Sequence, residues 1–292
     1  MLIWQAYCLN SAPFPSPSTG ELMSKEKTVL VCGVGETASA SARRLFLEGY
    51  SVTLFRTTAP RVLRRRMGFS DAWYDSFAQL EGVETRRADV SGEFLLGLQT
   101  RSFIPLLRQR FPDVIGFWPW DVIVAVEEDA EPTPTGLRDL AELTIGIGPS
   151  FSAGVNCDLV VETEGADPGA ILRPNETAQG RRPAPEDSAL ALAPRKGLFR
   201  ASVSIGMTVE AGEPIGSVED TPVLASAGGR LRGVARREEA MTQGAPLAEI
   251  AFSHTAQVAG VSERNQLVSR GVAFAIEMES EGWEPFSFEK WV

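Results

Sequence analysis

One stretch restricts the fold of this chain more than any other: Thr28-Val-Leu-Val-Cys-Gly-Val-Gly-Glu-Thr-Ala-Ser-Ala-Ser-Ala-Arg-Arg-Leu. The short apolar run at 29–32 reads as a buried parallel strand. Gly33, Gly35 and Ala38 follow in a G-x-G-x-x-A pattern, helical spacing continues over 40–47, and Gly49 ends it. Gly33 permits the tight turn, Gly35 lets a pyrophosphate approach the backbone, and Ala38 lets the helix pack close to its strand. The amino end of that helix offers free N–H groups to an anion. A second strand, 50–55, completes the unit. The pattern reads either as a nucleotide or phosphate site or as a plain strand-to-helix turn.

The 292 residues, 43% of them hydrophobic, suit about two domains. The net charge of -10 argues against a general nucleic-acid binder. No apolar run reaches membrane-spanning length, so no membrane partner is expected. Cys8, Cys32 and Cys157 show no metal-ligand spacing and suggest a reducing, cytoplasmic setting. His254 is the only histidine, which excludes multi-histidine metal sites; it reads as a loop residue. No metal is expected.

Residues 1–24, with Pro13, Pro15 and Pro17, read as a disordered tail and a poor signal peptide, and Met23 is a possible natural start. At the end of the second strand, where a dinucleotide fold commonly has Asp or Glu, stands Arg56. It pairs with a ribose 2′-phosphate or other phosphate, or keeps its head in water. Arg61, Arg64, Arg65 and Arg66 make a basic spot beside the glycine turn, either an anion site or a solvated face. Ser70 is expected to cap a short helix carrying Ala72, Trp73 and Phe77. Residues 84–89 read as a loop or edge strand, 103–111 as a helix with Pro105 in its first turn, 121–126 as a buried strand ending in Glu127-Glu128-Asp129, 137–143 as a helix, and 143–147 as a strand. The alternation implies a doubly wound parallel sheet. A second glycine-rich turn, containing Gly146, Gly148, Ser150 and Gly154, faces the ligand crevice. Asp158 and Glu162 flank a further strand, either positioning a ligand or serving as strand-end charges.

Residues 164–188 are rich in Gly, Pro and charge and read as a linker. Beyond them lies an internal repeat. Gly197-Leu-Phe-Arg matches Gly229-Arg-Leu-Arg, and Val209-Glu-Ala-Gly-Glu-Pro-Ile matches Met241-Thr-Gln-Gly-Ala-Pro-Leu, both offset by 32 positions. Two such units cannot bury their apolar faces alone and are expected to close into a small all-β barrel-sandwich of the biotinyl/lipoyl kind. The join, 218–226, has no lysine, and none lies between Lys196 and Lys290, so lipoate and biotin are not expected. Ser262 caps a final helix, 263–279, with Leu267, Val268, Val272, Ala275 and Ile276 inward and Gly271 marking close packing. The aromatic tail, Trp283 to Trp291, packs on the body or docks a partner. The expected organisation is a tail (1–24), a Rossmann-like α/β domain (25–165), a linker (166–188), the barrel-sandwich (189–253), and a terminal helix and tail (254–292).

Taken together, these stretches resemble the selenium-dependent molybdenum hydroxylase accessory proteins, the YqeB-type family. The resemblance rests on the Gly33/Gly35 turn, on Leu63-Arg64-Arg65 with Met67 and Phe69-Ser-Asp-Ala, on Ile147-Gly-Pro-Ser-Phe-Ser-Ala-Gly154, on Asp158 with Glu162-Thr163, and on Ala193-Pro194, Gly197 and Leu231-Arg232-Gly233. It implies a role in maturing a molybdenum enzyme or related oxidoreductase, with a nucleotide or phosphate-bearing pterin held by Gly33, Gly35, Glu36, Arg64, Arg65, Gly148 and Ser150, near Arg56 and Glu162. The chain departs from the family at Glu36, where Asp is usual, at Arg56, where an acid is usual, and at 165–169, where an R-G-H run is missing. It therefore reads as a divergent member. The alternatives are an NADP-dependent oxidoreductase, with Arg56 on the 2′-phosphate and Tyr74 and Glu162 as possible proton donors, and a scaffold that has lost its ligand. No catalytic residue is assigned, and a homo-oligomer stays open.

Overall fold

The computed structural model describes residues 27–127, 134–176 and 187–281. The expected amino-terminal tail, the acids Glu128 and Asp129, residues 177–186 of the linker and the aromatic tail lie outside these residues.

The first part is a nine-stranded sheet built from β1 (Thr28–Cys32), β2 (Ser51–Phe55), β3 (Phe77–Leu80), β4 (Val83–Arg87), β5 (Ile104–Leu107), β6 (Val122–Val126), β7 (Leu143–Ile147), β8 (Leu159–Val161) and β9 (Ile171–Leu172). The order is β3-β4-β5-β2-β1-β6-β7-β8-β9, with β4 through β8 mutually parallel and one antiparallel strand at each edge. Five helices accompany it: α1 (Glu36–Leu47), α2 (Asp71–Asp75), α3 (Ser91–Thr100), α4 (Phe111–Phe117) and α5 (Glu263–Glu281).

Both faces of the central strands are buried, which is why those strands are continuous apolar runs. Val29 and Val31 point into one core with α1 and α5, while Leu30 and Cys32 point into the other with α3, α4, Phe151 and Cys157. The connections from β6 to β7 and from β7 to β8 place Leu137, Phe151 and Ala153 on the second face. Over β7 and β8 the first face is covered by α5, returning from the far end of the chain beside α1. Ser262 caps it as expected, its Oγ accepting from the Asn265 N–H at 3.3 Å. Val268, Val272, Ala275 and Ile276 are fully buried as expected, but Leu267, expected inward, is exposed.

Several expectations are corrected. Residues 103–111 are not a helix: 104–107 form β5, paired between β2 and β4 with all four residues buried. Pro105 sits in the strand, over Gly97, and the proline in a helical first turn is Pro112 of α4. Residues 137–142 are turns, with the Leu137 N–H bonded to the Asn156 carbonyl, and not a helix. Helix α3 had no expectation attached. Strand β4 is interior, and β3 is the edge. Ser70 does not cap α2; its Oγ is buried without a hydrogen-bond partner among the described residues, and Phe77 lies in β3. Within the expected linker, β9 pairs with β8 and ends the sheet.

The second part comprises β10 (Ser188–Leu192), β11 (Gly197–Ala201), β12 (Thr208–Val209), β13 (Pro214–Val218), β14 (Thr221–Leu224), β15 (Gly229–Val234), β16 (Glu239–Met241) and β17 (Pro246–Ala251). They form two four-stranded antiparallel sheets, β10-β17-β15-β12 and β14-β13-β11-β16. Exchanging β10–β13 with β14–β17 turns one order into the other, as the sequence repeat requires. Gly212 and Gly244, equivalent in the repeat, have φ of 83° and 80°, and their N–H groups reach the equivalent carbonyls of Ala225 and Ala193, both at 2.9 Å. One core, including Phe199, Ile215, Leu231 and Ile250, lies between the sheets.

Candidate functional site

Because β4 to β8 run parallel, their carboxyl ends share one edge of the sheet. The strand order changes direction between β1 and β6, and ligands in open sheets of this kind bind in the crevice outside that point. The glycine turn stands there. Gly33 has φ of 138°, a conformation that favours glycine, and its N–H is bonded to the Phe55 carbonyl at 2.9 Å, so it is not offered to a ligand. Gly35 precedes α1 in extended conformation and its carbonyl accepts from the Ser39 N–H. Ser39, fully buried, ties the turn down: its hydroxyl donates to the Val34 carbonyl at 2.9 Å and accepts from the Phe69 N–H at 2.8 Å. Gly68 packs so close behind Val34 and Gly35 that a Cβ there would stand 3.1 Å from the Val34 carbonyl oxygen.

Glu36 occupies the first turn of α1. Burial pushes its carboxyl above the ordinary range, Arg64 opposes that shift, and Glu249 adds to it. Arg64 joins three elements: its Nε and Nη2 grip both oxygens of Glu249 on β17 at 2.6 and 2.7 Å, and its Nη1 reaches Glu36 at 3.3 Å. Arg232 reinforces Glu249 from 3.5 Å and pairs with Asp187 at 2.7 Å. Arg65 holds both oxygens of Asp71 and the Val234 carbonyl. The arginines expected to face a phosphate therefore fasten the small β part to the large one, Arg64 through the Glu249 carboxylate and Arg65 through the Val234 carbonyl while Asp71 holds its charge.

Arg56 is buried, with its N–H on the Leu107 carbonyl and its own carbonyl taking the Trp73 indole N–H. It does not stand with its head in water. At the end of β7, Gly148 has φ of 118° and the Ser150 N–H donates to the Glu127 carboxylate at 2.7 Å. A side-chain carboxylate thus fills the position where the second glycine turn was expected to take a ligand anion. Glu162, buried after β8, accepts from the Thr163 and Glu164 N–H groups at 2.9 and 3.1 Å. Asp158 is at the opposite edge, where its carboxylate accepts from the Thr144 N–H and hydroxyl, so it is a strand-start brace and not part of the crevice.

The structure thus brings Gly33, Gly35, Glu36 and Arg64 together, while Gly148 and Ser150 belong to a neighbouring turn built around Glu127. Glu127 and Glu249 had no expected role. A lone acid in the apolar run Leu247-Ala-Glu-Ile-Ala was the available signal for Glu249.

Among the described residues no group of three or more His, Cys, Asp or Glu suits a metal ion, and no helix is long and apolar enough to cross a membrane. Cys32 and Cys157 are buried, and burial pushes the Cys157 thiol up to about 11. Both are expected to resist iodoacetamide at neutral pH until the protein is unfolded, checked by peptide-resolved mass spectrometry. Labelling of either in the native state would place it in a more open setting than this one.

No family model matches the chain. A crystal structure of a succinylglutamatedesuccinylase/aspartoacylase from Rhodobacter sphaeroides shares 26% identity over 22% of each chain with a TM-score of 0.19, too weak to carry an argument. The uncharacterized protein YqeB of Escherichia coli (strain K12) is 28% identical over 264 residues, covering 87% of this chain and 48% of its own length. The chain spans about half the length of that relative, to which it is similar over most of its own length.

Proposed function

We propose that the chain is an accessory protein for a molybdenum-dependent hydroxylase or related oxidoreductase, whose Rossmann-like layer holds a nucleotide or phosphate-bearing pterin at the first turn of α1. The supporting observation is topological. Strands β5-β2-β1-β6-β7-β8 follow the dinucleotide-fold order 3-2-1-4-5-6, with the glycine turn beside the reversal point. The paired small sheets have the layout of a barrel-sandwich without a carrier lysine: the β13–β14 turn is Glu219-Asp220. Its role in this reading is to pack and dock. Burial of Glu36 favours its neutral form, which lessens repulsion of an anion at the helix end. The resemblance to YqeB-type accessory proteins supports the client enzyme, and a cytoplasmic setting goes with it.

Gly35→Asp is expected to lower affinity for the bound nucleotide or pterin at least about tenfold, by placing a second carboxylate at the helix end. Calorimetric titration with GTP, NADP and a pterin phosphate checks this, after native mass spectrometry of gently purified protein. Unchanged affinity, or no binding by the parent protein, overturns the reading.

A second reading, a scaffold without a ligand, is favoured by one observation. Glu127 satisfies the Ser150 N–H, and Arg64 and Arg65 are engaged within the protein. The NADP-dependent oxidoreductase has less support: Arg56 is buried, and the Tyr74 hydroxyl donates to the Pro60 carbonyl at 2.8 Å.

A further inference from the structure

A cavity of about 450 Å³ lies where the arginine arm meets the small β part, away from the glycine turn. Arg65, Arg66 and Arg237 line it with Ser202, Ser204 and Asp71. Asp71 is already shared between Arg65 at 2.9 Å and Arg236 at 2.8 Å, so it offers little charge to anything else. The guanidinium groups of Arg66 and Arg237 have neither a hydrogen bond nor an ion pair to any described residue. The Arg66 Nη1 lies 3.8 Å from the point a Cβ on Gly206 would occupy, on the small β part. In a chain of net charge -10, a fold that leaves two guanidinium groups, those of Arg66 and Arg237, without a carboxylate beside one hollow suits an anion. The volume is in the range of small-molecule pockets. The planar donors of Arg66 and Arg237 and the two serine hydroxyls suit phosphate oxygens.

We infer that this cavity binds the phosphate group of a phosphorylated small molecule, with Arg66 and Arg237 as its principal ligands. The site is independent of the proposed ligand at α1, and each can exist without the other. Arg66 and Arg237 are exposed, so their replacement leaves the cores intact.

The test is calorimetric titration of the whole chain with inorganic pyrophosphate at low salt, with circular dichroism to confirm folding. Wild type is expected to bind one pyrophosphate per chain. Arg66→Ala and Arg237→Ala each weaken binding by about tenfold or more, while the ion-paired surface variant Arg110→Ala binds as wild type. Raising the salt weakens binding. Absence of binding at millimolar pyrophosphate overturns the inference, as does unchanged binding by the Arg66→Ala/Arg237→Ala double variant. Loss of binding in Gly35→Asp alone transfers the ligand to the glycine turn and overturns it too.

Discussion

Arg64→Ala is expected to lower the unfolding free energy by about 3 kcal/mol, the order found when one partner of a buried ion pair is removed. Arg64 is one-third exposed, so part of its charge is screened, but its main partner is not: the Glu249 side chain is 8% exposed. Without the guanidinium, Glu249 and Glu36 face each other with only Arg232, 3.5 Å from Glu249, and Arg264, which acts on Glu36, to offset them. The loss should depend on pH. The Glu36 carboxyl is already raised in the folded protein by burial, and losing Arg64 removes an opposing influence. A raised carboxyl contributes stability below its unfolded value that disappears as pH rises through its folded one. The deficit should therefore be smaller near about pH 5 than at pH 7. Urea denaturation at both values measures it. A double Arg64→Met/Glu249→Leu variant should recover much of the loss, since apolar replacement of both partners removes the stranded charge. A deficit below about 0.5 kcal/mol at pH 7 would mean the pair behaves as a solvated surface contact.

Gly271→Ala should destabilise the chain by about 2 kcal/mol, although alanine is the better helix former by about 1 kcal/mol. A Cβ at position 271 would stand 2.1 Å from the Gly169 carbonyl oxygen, and one on Gly169 would stand 2.5 Å from the Leu267 carbonyl oxygen. Backbone therefore meets backbone where α5 crosses the turn between β8 and β9, and neither side has a flexible group to withdraw. Gly92→Ala is the matched control: it also lies in a helix, α3, with nothing within 4 Å of the new methyl, and should be neutral or gain up to about 1 kcal/mol. Thermal and urea unfolding of the two variants compare them directly. Equal gains in both would show that α5 packs farther from the sheet than this structure has it.

Much of the architecture was legible in the chain because its signals are local. The run 28–47 sets strand, turn and helix within one segment, and φ of 138° at position 33 is a demand that the glycine there meets. The repeat was equally clear, since equivalent residues at a fixed offset impose equivalent turns at Gly212 and Gly244. Short apolar runs were the weak point. Ile104-Pro-Leu-Leu shows no period that separates a strand from a helix, and only the ladder between β2 and β4 decides it.

The amino-acid sequence by itself determined the parallel sheet with its glycine turn, the two-fold repeat without a carrier lysine, and the capped final helix. Each follows from spacing, backbone freedom or residue content within a few dozen positions. Only the tertiary structure decided the fate of the charges. Arg64 and Glu249 are 185 residues apart, and α5 reaches α1 from the other end of the chain, so no local pattern could announce either meeting. An arginine looks the same in sequence whether a ligand or a distant carboxylate will hold it; what distinguishes Arg64 from Arg66 is which carboxylates the folded chain brings within about 3 Å of each.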